Sequence, residues 1–141
     1  MPTERGRRGP QAGVIAFRRL ADDVEVCLIR RNGGANWGIP KGDIDAGHTA
    51  RQTALNEAWE EAGLRGRLVG GRLGNYTYTK WGTSFTVAVY LMAVDQVEDT
   101  WDEMTFRERQ WSTLEKAASL LARHPVHTLF DRVLRTHLKE L

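Results

Sequence analysis

The segment from Pro40 to Gly63 limits what this chain can fold into more than any other. A loop carrying Gly42 and Gly47 runs straight into a helix whose two ends are both written in side chains. Thr49-Ala50-Arg51-Gln52 fits a capping box, with Thr49 as N-cap and Gln52 reaching back from the third helical position. Gly63 fits the place just past a helix where the backbone turns left-handed. A helix over Thr49 to Ala62 spans roughly 20 Å at about 1.5 Å per residue. Ala50, Ala54, Ala58 and Ala62 recur at helical spacing, with Leu55 and Trp59 beside them. Such a row of small side chains lets a helix lie close against a sheet. The segment predicts a helix docked on a sheet, with the glycine loop held at one end.

Beside the alanine row stand Glu57, Glu60 and Glu61, projecting toward the loop. Residues three and four apart on a helix are neighbours, about 5–6 Å between Cβ atoms. Carboxylates that close repel each other unless a cation sits among them. Oxygen-only clusters suit Mg²⁺ or Mn²⁺, and Mg²⁺ usually keeps waters and shares a substrate phosphate. Glutamates at this spacing more often mark a solvated face. The glycine loop and the two caps instead favour a metal-dependent site for phosphate chemistry.

With 141 residues, the chain has the size of one domain with a proper core. A net charge of +2 implies no strong field for nucleic acid or a membrane surface. The charge is uneven, however. Arg5, Arg7 and Arg8 stand near the N-terminus, whereas Asp43, Asp45, Glu57, Glu60 and Glu61 face Arg51 alone across residues 42–64. A local acidic excess in a slightly basic chain fits a cation site. Cys27 is the single cysteine, so no intrachain disulfide forms, and its apolar strand-like setting reads as a buried, inert thiol. No long apolar run or signal-peptide pattern is present, which makes the cytoplasm the expected compartment. Residues 1–10 read as a mobile basic N-terminus and 11–141 as a single domain, monomeric or homodimeric.

Strands are expected over Gly13 to Arg19, Val24 to Arg30, Trp37 to Ile39, Leu68 to Leu73, Tyr76 to Lys80 and Ser84 to Val94, the last a central one. Asp95 to Glu103 reads as an acidic loop, and Arg107 to Trp111 as a further strand. Ser112-Thr113-Leu114-Glu115 fits a second capping box opening a helix to about Ala122. Pro125 fits the first position of a last helix ending near Leu141. Mixed strands and helices argue for an α/β or α+β domain.

The segment Gly42 to Leu64 resembles the Nudix box: a glycine, five residues, a glutamate, seven residues, then Arg-Glu-apolar-x-Glu-Glu-x-Gly-apolar. Gly42, Glu57, Ala58, Glu60, Glu61, Gly63 and Leu64 fall in register. Trp37-Gly38-Ile39-Pro40-Lys41 resembles the approach to the box. The likeness extends over most of the chain from about Gly13. It implies an α/β/α sandwich with a mixed curved sheet, and Mg²⁺-dependent (or Mn²⁺-dependent) hydrolysis of a phosphoanhydride in a nucleoside diphosphate linked to another group. It implies Glu57, Glu60 and Glu61 as metal ligands, with Glu57 and Glu61 the direct pair. The general base is then Glu61 or a glutamate outside the box, for which Glu103 is the choice. Lys41, Gly42 and Arg30 are the substrate-binding candidates.

Two positions depart from the signature: His48 stands where the box has its first glutamate, and Asn56 where it has its arginine. In the family that pair braces the loop against the helix, and a hydrogen bond between His48 and Asn56 would replace it. Arg67-Leu68-Val69-Gly70, Val97 to Trp101, Arg107 to Trp111 and His124-Pro125-Val126 are similar to the diphosphoinositol polyphosphate phosphohydrolases, which also cleave diadenosine polyphosphates. Tyr76 to Lys80 carries one lysine, thin for an inositol polyphosphate. A nucleotide-type small molecule, best a dinucleoside polyphosphate, is therefore the expected substrate. A catalytically impaired binding module, and an RNA 5′-end pyrophosphohydrolase, are the alternatives.

Overall fold

A computed structural model describes residues 9–134. Six strands form one mixed sheet in the order β4-β5-β1-β2-β6, with the short β3 pairing off β1. The strands are β1 (Pro10–Leu20), β2 (Asp23–Arg31), β3 (Lys41–Asp43), β4 (Leu64–Lys80), β5 (Thr83–Val97) and β6 (Arg107–Thr113). Three helices complete the described residues: α1 (Ala50–Ala62), α2 (Leu114–Leu120) and α3 (His127–Val133). Strand β1 runs parallel to β5 and antiparallel to β2 and β3.

Both faces of the sheet are covered, so the central strands read as nearly unbroken apolar runs. Alternation along β1 sends Ala12, Val14 and Ala16 to one face, where they meet Ala54, Ala58 and Ala62 of α1. Ile15 and Phe17 point to the other face, against Ala117, Leu121, Leu129, Phe130 and Val133 from the α2 and α3 side. This is the expected α/β/α sandwich. No helix among the described residues is long and apolar enough to cross a membrane.

Helix α1 starts and stops where its side chains dictate. Thr49 accepts from the Gln52 backbone and the Gln52 side chain accepts from the Thr49 N–H, so both halves of the capping box form. Gly63 sits at φ 66°, left-handed, and its N–H closes onto Trp59.

Other expectations need correction. Strand β1 begins at Pro10, inside the segment expected to be mobile; residues 1–8 lie outside the described residues. Trp37 to Ile39 forms a single bridge, Gly38 with Ile29, because Pro40 ends the pairing at once. Leu68 to Leu73 and Tyr76 to Lys80 are one strand, β4, whose register shifts between Val69 and Gly74. Strand β5 continues through Val97, taking in the start of the expected acidic loop. Helix α2 is capped by Thr113 rather than Ser112, which is buried in β6 and accepts a hydrogen bond from Gln110. Pro125 precedes the α3 N-cap, Val126, instead of opening the helix. The expected extension of the last helix toward Leu141 lies outside the described residues.

Candidate active site

The close seat of α1 on β1 brings its acidic face against β3. Glu61 is 6% exposed, and its Oε1 accepts from the backbone N–H of Lys41 at 2.9 Å. The Glu57 carboxyl lies against the Gly42 backbone so closely that a Cβ on Gly42 would sit 2.3 Å from Glu57 Cδ. Any larger residue here would push the Glu57 carboxyl aside, so the glycine serves close approach rather than an unusual dihedral angle. Glu61 is also a close enough neighbour to act on the acidity of Glu57.

Charge crowding is visible in the acidities. Burial, and then the neighbouring Glu61, Glu60 and Glu103, push Glu57 up to about 8. Burial also raises Glu61 to about 7, against the lowering effect of the Arg107 guanidinium and the Lys41 N–H. Glu57 and Glu61 therefore resist ionising, and a bound cation would relieve that cost.

Arg107 is the internal counter-charge. Its guanidinium reaches Glu61 at 3.2 Å and Glu103 at 2.5 Å from the start of β6. Glu103 is therefore brought to the cluster, and its backbone N–H also donates to the Glu60 carbonyl at 3.1 Å. The sequence reading missed Arg107 in this role. Its spacing from Glu103 gives an i,i+4 hint, but nothing in the chain signals its pairing with Glu61.

Lys41 and Gly42 flank the cluster on β3. The Lys41 ammonium donates to Tyr78 Oη at 2.9 Å and lies over the Tyr78 ring. The Tyr76 hydroxyl is buried, has no hydrogen-bond partner among the described residues and is raised above its ordinary pKa, chiefly by burial. Arg30 is held elsewhere: its guanidinium pairs with Glu108 at 3.1 Å and stacks on Trp37. His48 and Asn56 are both exposed and share no hydrogen bond, so the expected neutral replacement for the bracing pair is not formed. The loop is tied instead through Lys41 to Glu61 and through Asp43 to Gln11. Cys27 is fully buried, and its thiol is pushed up to about 12 by that burial, as an inert core sulfur requires.

By its chemistry the donor set suits a hard divalent cation: carboxylate oxygens only, two of the carboxylates buried enough to resist ionisation, beside a glycine that lets the backbone come close. Among the described residues, no three acidic, histidine or cysteine side chains form a group that could hold a metal ion as they stand. The arrangement is an acid cluster along a helix face, with Arg107 at one side.

Comparison with known proteins fits this geometry. The family model of the NUDIX domain matches residues 8–133. The chain is 33% identical to Nudix hydrolase 16, mitochondrial, of Arabidopsis thaliana, over 81% of this chain and 72% of that protein. It is 27% identical to diphosphoinositol polyphosphate phosphohydrolase 3-beta of Bos taurus, over 89% of this chain and 77% of that one. A crystal structure of a C. elegans Ap4A hydrolase binary complex shares the fold, with a TM-score of 0.75 and 23% identity over 94% of this chain and 99% of that one. The chain belongs to the Nudix family. It is a hydrolase of phosphoanhydride bonds, from a family whose enzymes generally use divalent metal cations.

Proposed function

We propose that this hydrolase cleaves a phosphoanhydride within a nucleoside diphosphate linked to another group, best a dinucleoside polyphosphate, with Mg²⁺ as its metal. The observation that carries the reading is the seat of Glu57 and Glu61 directly against Lys41 and Gly42. Glu57, Glu60 and Glu61 would hold the ion. When bound, it would neutralise phosphate oxygens and acidify a water.

The rest falls to the chain's own side chains. Lys41 places an ammonium beside the carboxylates, where it contacts a phosphate oxygen and stabilises charge developing on it. Glu61, or Glu103 beside it, takes the proton of the attacking water. Arg107 keeps Glu61 and Glu103 facing each other. Arg30 serves as a substrate contact only if its ion pair with Glu108 opens. Tyr76 to Lys80 carries one lysine, Lys80, which supports a nucleotide-type substrate over a highly phosphorylated inositol.

The test compares kcat/KM with Mg²⁺ for diadenosine tetraphosphate, ADP-ribose and a diphosphoinositol polyphosphate, with products identified. The dinucleoside polyphosphate should be preferred. Glu57→Gln and Glu61→Gln should each lower turnover on it about 100-fold or more with the fold intact. A clear preference for the inositol compound would refute the substrate class, and near-normal turnover by both variants would refute the ligand pair.

A further inference from the structure

Behind Lys41 runs a chain of hydrogen bonds whose direction has no freedom. Asp43, at the end of β3, offers only acceptor oxygens when ionised. Gln11 of β1, 7% exposed, donates its Nε2 to Asp43 Oδ1 at 2.8 Å. That donation fixes the amide orientation, so Gln11 Oε1 faces the other way and can only accept. It accepts from Tyr78 Oη at 2.7 Å. With its proton committed to Gln11, the Tyr78 oxygen presents a lone pair, and the Lys41 ammonium donates to it at 2.9 Å. The Tyr78 ring is held in turn by stacking on Phe85, with centroids 5.0 Å apart and planes 15° from parallel.

Each member of this relay thus sets the next, and members polarised in one direction strengthen each other. Lys41 is gripped at both ends: its backbone N–H on Glu61 and its ammonium on Tyr78. We infer that Tyr78 is a positioning residue for the hydrolytic reaction, holding the Lys41 ammonium in the place from which it meets a substrate phosphate, with Gln11 and Asp43 fixing the orientation of the Tyr78 hydroxyl. The inference rests on the reading of Lys41 as the phosphate contact. An ammonium has three N–H bonds, and Tyr78 takes one, leaving the others for substrate oxygens. Without the hydroxyl, a flexible lysine stem would spread its charge over many positions, and the alignment made in the transition state would be lost.

The experiment uses the full chain with Mg²⁺ and whichever substrate it turns over fastest, comparing Tyr78→Phe, Lys41→Met and the double variant. Tyr78→Phe keeps the ring that stacks on Phe85, and Tm measured alongside confirms the fold. Lys41→Met should lower kcat/KM about 100-fold, as loss of a charge-stabilising donor does. Tyr78→Phe should lower it about 10-fold, as loss of an orienting partner does, with the loss in kcat. The double variant should be no worse than Lys41→Met alone, because Tyr78 acts only through Lys41. If Lys41→Met is impaired but Tyr78→Phe runs at the wild-type rate, changes KM alone, or multiplies its effect in the double variant, the positioning role is overturned. If Lys41→Met itself runs at the wild-type rate, the phosphate contact is wrong and the inference falls with it.

Discussion

The two faces of the sheet solve opposite problems with the same strands. On the α1 face the helix presents small side chains, Ala54, Ala58 and Ala62, to Ala12, Val14 and Ala16 of β1, so its backbone can come close to the sheet. On the other face the contacts are large, Ile15, Phe17, Leu28, Leu121 and Phe130, beneath two short helices. The alanine seat of the first face fixes position, and that position puts Glu57 and Glu61 against β3. The second packs larger helix side chains, Leu121, Leu129 and Phe130, against its strands. Precision at the site thus comes from the face whose helix carries the smaller side chains.

This contrast is broken if filling and emptying the two faces act alike. Phe130, fully buried, should lose about 3–5 kcal/mol on Phe130→Ala, while the folded fraction keeps its turnover. Ala58→Leu should lose less stability, about 1–3 kcal/mol through overpacking, yet lower kcat in the folded protein by lifting α1 from β1. Denaturant unfolding and kcat on folded protein separate the two. Equal effects on kcat would mean that the spacing of α1 is not what holds the site.

A smaller effect sharpens the second face further. His124 packs edge-on against Tyr76, and its Nδ1 accepts from the Val126 N–H at 3.0 Å. Burial first, then the charges of Lys41 and His127, lower its pKa from 6.5 to about 4. Below pH 6.5 the unfolded chain takes up a proton that the folded one refuses. Stability should therefore fall as pH drops from about 6.5 toward about 4, and level off below. His124→Gln should reduce that acid loss by about 2 kcal/mol between pH 7 and pH 4.5. An unchanged pH profile would show that the imidazole is not held neutral by the fold.

What the sequence showed, and what it hid, divides along the same line of local against distant. The α1 caps, the alanine row and the three glutamates lie within one stretch of chain, so their arrangement follows from helix geometry alone. Gly42 and Glu57 could be placed in one site through the box, but the reason for the glycine, a carboxyl lying where its Cβ would be, appears only when β3 and α1 are side by side. Arg107 reaches Glu61 because β2 and β6 pair in one particular register, which no local pattern encodes. The Tyr78 relay likewise needs β1, β3 and β4 brought together. His48 and Asn56 misled for the opposite reason: a pairing carried over from the family signature assumed a contact that these shorter or neutral side chains do not make.

The central claim is that the contact between α1 and β3 makes the active site. Gly42→Ala tests it most directly, since the added methyl would land 2.3 Å from Glu57 Cδ and force that carboxyl away. Turnover with Mg²⁺ should fall about 100-fold or more while Tm stays within a few degrees, because only one side chain need move. Near-wild-type turnover in Gly42→Ala would contradict the account, since the chemistry would then not depend on Glu57 lying against β3.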